Sequence, residues 1–112
     1  MTKSEKFDSS FRVLAIVSKA MSHPARITIL KYLAEVKTCI SGDISKEIPL
    51  SRTTVLQHLK ELKKVGLIHG EVEGSKVNYC LCQKSIKKYK GLFAEFLGSL
   101  DVEVVCKNES NC

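Results

Sequence analysis

Around Pro49 the chain must end one helix and start another within four residues, and few folds use such a break. Ile48-Pro49-Leu50 closes whatever precedes it, because the residue before a proline avoids the helical region. Ser51 then offers an N-cap oxygen, with Val55, Leu59 and Leu62 at helical spacing behind it. Leu50 and Val55 fall at N′ and N4, the positions of a hydrophobic staple. Gly66 falls just past the last turn, where a left-handed residue closes a helix. The pattern predicts a short helix over about 42–47 capped by Ser41, a tight turn, and a second helix over about 52–65. A short helix, a tight turn and a capped helix with polar outer positions make a helix-turn-helix.

The flanking segments complete the architecture. Phe7, Phe11, Leu14, Ser18 and Met21 recur at steps of four and three, which predicts a helix over about 8–21. His23 is placed as an N-cap with Pro24 at the first helical position, opening a helix over about 24–35 with Ile27, Leu30 and Leu33 inward. After Gly66 the period changes to two. Leu67 and Glu71 belong to one strand, Val77, Tyr79 and Leu81 to a second, and Glu73-Gly74-Ser75 joins them as a hairpin. Ile86, Tyr89, Phe93, Phe96 and Leu100 form an a/d seam on a last helix over about 85–101. The expected fold is mainly α with a small β-hairpin, a winged helix-turn-helix. With no repeat or linker, residues 1–112 read as one domain, ending in a cysteine-containing tail.

Charge points to the partner. Lys and Arg number 18 against 12 Asp and Glu, a formal net charge of +6 that favours a polyanion such as nucleic acid. The longest wholly apolar run is five residues, 13–17, so no membrane span is expected. The first ten residues do not read as a signal peptide. Five cysteines, an odd number, fit free or metal-binding thiols in a reducing cytoplasm. No GxGxxG, GxxxxGK[ST], HExxH or GxSxG is present, and no pocket-forming α/β pattern supports a thiol enzyme, so no catalysis is expected.

The predicted reading helix carries Ser51, Arg52, Thr53 and Thr54 at the end that would enter the major groove. Gln57 and Lys60 share its outward face. Glutamine pairs bidentately with adenine and arginine with guanine. Lys63, Lys64 and the wing's Lys76 are placed to reach phosphates, which sets position rather than sequence. The alternative is a solvated helix face on a winged helix that docks protein. Salt-dependent DNA affinity separates the two.

Three motifs resemble a known family. His23-Pro24-Ala25-Arg26-Ile27-Thr28-Ile29-Leu30 is similar to its [D/H]-P-x-R-x-x-I-L opening. The run from Ser51 through Leu62 resembles its recognition helix, and Gly66-Leu67-Ile68 followed by Glu73-Gly74 resembles its wing entry. The family is ArsR/SmtB, the small winged-helix metal-sensing repressors, and the resemblance covers about 18–81. It implies a homodimer built from the first and last helices, bound to double-stranded operator DNA and released by an inducer. One departure is Leu56, where the family often has a small polar residue. Leucine offers a base only apolar contact, which bears on operator preference.

The resemblance also frames the inducer. The family's thiolate site often reads C-x-C-D-[L/I]. Here Cys39-Ile40-Ser41-Gly42-Asp43-Ile44 has one thiol replaced by Ser41 and a glycine inserted. A hydroxyl is a poor ligand for a soft metal, so Cys39 needs partners. Cys106 and Cys112 form a C-x5-C pair resembling variant sites for trivalent arsenic, which prefers three thiolates. The expected inducer site is therefore Cys39, Cys106 and Cys112, within a subunit or across the dimer. The expected metalloid is As(III) or Sb(III), and no resident cofactor is required. Cys80 and Cys82 alternate on one face of the second wing strand and read as ordinary strand residues, since two ligands are too few for zinc. The last helix holds Glu95 and Asp101 but no histidine, His58 reads as a hydrogen-bonded structural residue, and His69 as a solvated one. The alternative signal is thiol oxidation or a persulfide. Family members of that kind commonly place a cysteine in the second helix, but residues 27–34 hold none and Lys31 stands near the expected place.

Overall fold

The computed structural model describes residues 6–41, 47–74 and 76–106. The elements run α1 (Ser9–Ala20), α2 (Pro24–Val36), β1 (Ile40–Ser41), α3 (Arg52–Lys64), β2 (Ile68–Glu73), β3 (Lys76–Leu81) and α4 (Gln83–Leu100). The short helix expected over 42–47 lies outside the described residues except for its last position.

Each helix start has a local cause. Asp8 caps α1, accepting from the Ser10 backbone N–H at 2.8 Å, and this bonding holds its carboxyl below the usual carboxylate range. His23 caps α2 through Nδ1, which accepts from the Ala25 N–H at 2.9 Å, with Pro24 at N1. Ser51 caps α3, its hydroxyl accepting from the Thr54 N–H at 3.3 Å. The end of α3 is a Schellman closure: the Leu67 N–H donates to the Leu62 carbonyl and the Gly66 N–H to the Lys63 carbonyl. Gly66 sits there at φ +77°, where a side chain would be strained.

The core is built from Val17, Ile29, Leu33, Ile48, Val55, Leu59, Leu62, Leu67 and Ile68. On α3 it uses the expected face of Val55, Leu59 and Leu62. One expectation, Ile27 inward on α2, is corrected. On α1 the buried residues are Leu14, Val17 and Ala20, so Phe7 and Phe11 stand outside at 64% and 53% exposure. On α2 the buried row is Ala25, Ile29 and Leu33, a strict step of four, which turns Ile27 outward. In both helices more than one stripe was apolar, and tertiary packing decided which one was covered.

The wing has a third strand that hydropathy did not show. The antiparallel sheet has the order β1-β3-β2. Ile40 pairs with Tyr79 and Ser41 with Asn78, while β2 runs from Ile68 opposite Leu81 to Glu73 opposite Lys76. Two residues are too short a strand to show a period. On α4, Ile86, Tyr89 and Phe93 lean on the core and the Tyr89 hydroxyl donates to the Val65 carbonyl at 2.6 Å. No residue of α4 is fully buried, and Phe96, Leu97 and Leu100 stay exposed. Phe96 meets Phe11 of α1 edge-to-face, with ring centroids 6.0 Å apart.

Candidate nucleic-acid interface and thiol cluster

The core fastens α3 by its inner face and leaves its polar face to solvent. Ser51, Arg52, Thr53, Gln57 and Lys60 are exposed and Thr54 is half-buried. The Ser51 and Thr54 hydroxyls lie 2.9 Å apart at the helix cap, while Arg52, Thr53, Gln57 and Lys60 carry the other exposed polar groups of this face. Leu56 is partly buried and packs against the core, so part of its apolar surface is already used within the fold.

The three lysines expected at phosphates differ. Lys76 is exposed at the start of β3, beside the wing turn. Lys64 pairs with Glu61 at 2.9 Å, an exposed i,i+3 bridge worth little in stability. Lys63 lies across β2, its Nζ 3.4 Å from where a Cβ on Gly70 would stand.

Arg26 ties the reading helix to the frame. Its Nε donates to Nδ1 of His58 at 3.0 Å and its Nη1 to the Ala20 carbonyl at 3.1 Å. One guanidinium thereby joins α2, the end of α1 and the middle of α3. His58 is buried, and its ring centroid lies 4.5 Å from that of His23. Because Nδ1 accepts from Arg26, the His58 proton sits on Nε2. Burial, then the His23 and Arg26 charges, push the His58 pKa down. The unfolded chain, near about 6.5, therefore takes this proton first on acidification. Stability attributable to His58 is intact above that value and falls as the pH drops below it. The urea midpoint should accordingly fall between about pH 7.5 and about pH 5.5, with less of a fall in His58→Gln. Equal falls in both proteins would remove His58 as the cause.

The thiols assemble in a way that residue spacing did not show. Cys39 and Cys80 form a disulfide, with Cα atoms 4.3 Å apart. Extending the β1–β3 register by one residue puts Cys39 directly opposite Cys80. A carboxylate oxygen of Glu71 lies within 4.8 Å of both sulfurs. Of the three expected inducer ligands, Cys39 is thus joined to Cys80. Cys106 is exposed beyond the end of α4, and Cys112 lies outside the described residues. Cys82 stands at the N-cap of α4. The Ser85 hydroxyl donates to its sulfur at 3.4 Å and, with the Ser85 backbone N–H, lowers its thiol pKa.

The profile of the bacterial regulatory proteins of the arsR family matches residues 23–69, from the cap of α2 into β2. An uncharacterised HTH-type transcriptional regulator of Methanocaldococcus jannaschii is 31% identical over 84 residues, covering 75% of this chain and 90% of that protein. The chain belongs to the ArsR family. It is a DNA-binding transcriptional regulator with a winged helix-turn-helix fold. A further relative is the HTH-type transcriptional regulator CmtR of Mycobacterium tuberculosis, 28% identical over 96 residues, 86% of this chain and 80% of that one. The homodimeric winged helix-turn-helix DNA-binding domain Mb0332 of Mycobacterium bovis shares the fold, with a TM-score of 0.64 at 20% identity, covering 92% of this chain and 91% of that one. The ArsR-family match includes α3 and Cys39 but stops before Cys80, Cys82 and Cys106. It therefore bears on DNA binding and says little about the signal. Among the described residues no helix is long and apolar enough to cross a membrane.

Proposed function

We propose that this ArsR-family regulator is a homodimeric repressor, released from operator DNA by a thiophilic inducer acting through Cys39, with trivalent arsenic the first candidate. The observation that carries the reading is the place of Cys39. It adjoins β1, which is hydrogen-bonded to wing strand β3 and leads into the segment before α3. A ligand drawing on Cys39 thus pulls on the wing and on the approach to the reading helix. Dimerisation is supported by the exposed apolar residues of α1 and α4, Phe11, Phe96, Leu97 and Leu100, and by the homodimeric state of the Mb0332 domain. A surface of this kind on a small protein is ordinarily covered by a partner.

Trivalent arsenic or antimony takes three thiolates. The described part of one chain gives Cys39 one thiol neighbour, Cys80. The set is completed from the tail, by Cys106 with Cys112 beside it, delivered from the same subunit or its partner. The test is fluorescence anisotropy of the reduced protein on its own promoter DNA, titrated with arsenite. Arsenite should release the DNA from wild type and fail to do so with Cys39→Ser or Cys106→Ser. Tight binding without any arsenite response would overturn arsenic as the signal.

The Cys39–Cys80 disulfide favours a second reading, a repressor that responds to thiol oxidation or persulfide. A persulfide donor run in parallel tests it. Release that is lost in Cys80→Ser but kept in Cys106→Ser would make oxidation the signal.

A further inference from the structure

We propose that the reduced wing sheet holds a zinc-type divalent metal ion on Cys39, Cys80, Glu71 and His69. Residues directly opposite one another in an antiparallel pair point to the same face of the sheet. His69 pairs with Cys80 on one side of β3, and Cys39 falls opposite Cys80 on the other. The three residues form one row across three strands. Glu71, two residues along from His69, shares that face. The opposite face carries Ile40, Ile68, Tyr79 and Leu81 against the core. The sheet thus separates its apolar side chains from a row of sulfur, nitrogen and oxygen donors.

Three of the four donors lie close together, and His69 stands beside Glu71. The two sulfurs and a Glu71 carboxylate oxygen all lie within 4.8 Å of one another. His69 Nδ1 is 4.0 Å from Glu71 Oε1, and both side chains reach solvent. A tetrahedral zinc ion with bonds of about 2.0–2.3 Å holds its donors roughly 3.3–3.8 Å apart, so reduction must let the two bonded sulfurs part while the Glu71 oxygen closes on them by up to about 1 Å. Two thiolates with an imidazole and a carboxylate suit a borderline-soft divalent ion. They are one sulfur short of the set trivalent arsenic prefers. An open cavity of about 450 Å³ between the end of α2 and the start of α4 borders Cys39 and Cys80.

Metal and disulfide use the same two sulfur atoms, so they exclude each other. Binding by the reduced pair forms two metal–sulfur bonds and releases the two thiol protons, with no change of oxidation state. The site shares Cys39 with the proposed inducer set but needs neither Cys106 nor Cys112. Its readout is metal uptake without DNA, so failure of arsenite release leaves it standing.

The experiment is titration of the reduced full chain with Co(II), followed by displacement with Zn(II). Wild type should take up one Co(II) per chain, with the intense visible bands of a tetrahedral site and thiolate-to-metal absorption. Cys80→Ser and Cys39→Ser should each weaken binding by roughly 100-fold or more. Glu71→Gln and His69→Ala, at exposed positions that leave folding intact, should weaken it by about 10–100-fold. Cys106→Ser should bind as wild type. No uptake by the reduced protein would overturn the proposal. So would wild-type affinity in both Cys80→Ser and Glu71→Gln, or loss of uptake in Cys106→Ser.

Discussion

Replacing Leu59 with alanine is expected to destabilise the fold by about 2–5 kcal/mol. Leu59 is completely buried at the centre of the inner face of α3, between Val55 and Leu62, which are buried to the same degree. The loss combines the transfer energy of the removed methyl groups with the cavity left behind, in a core that joins α1, α2, α3 and the wing. A domain of this size is stable by only about 5–15 kcal/mol, so a substantial share is at stake. Urea unfolding should show a lower midpoint with an unchanged slope. Leu56→Ala, at a position only partly buried, should lose distinctly less. Equal losses at 56 and 59 would mean that α3 is seated differently on the core.

Arg52→Ala or Gln57→Ala is expected to weaken operator binding by about 1–3 kcal/mol, roughly 5–150-fold, and to change base preference at the position each residue reads. Both side chains are exposed on the polar face of α3. Their loss removes contacts to base edges without touching the core. Lys76→Ala should behave differently. A wing lysine at a phosphate contributes through counterion release, so its loss should weaken all sequences alike and reduce the salt slope by about 1. Anisotropy on the operator and on a scrambled duplex, each over a range of salt, separates the two patterns. If Arg52→Ala and Gln57→Ala leave the affinity untouched, this face of α3 is not the one that reads DNA.

The local punctuation of this chain was legible. His23-Pro24, Ser51 and Gly66 mark helix ends through short-range hydrogen bonds and backbone preferences, and each acts where its chemistry predicts. The exposed polar face of α3 and the β2–β3 hairpin followed from the same local rules. What was not legible depends on elements distant in sequence. The apolar residues of α1 offer more than one stripe, and only tertiary packing decided that Val17 goes in and Phe11 stays out.

The thiol cluster shows the same division most clearly. The residue types were visible, but Cys39 and Cys80 are 41 positions apart. A two-residue strand has no hydropathy period to announce it. Its pairing with β3, rather than any motif, set Cys39 against Cys80 and placed His69 in the same row. The described helices, their caps and the exposed polar face of α3 were therefore written into the chain locally, because they depend on neighbours within about four residues. Which thiols meet was settled by folding alone, because strand register is a long-range choice that turns on how the wing closes over the core.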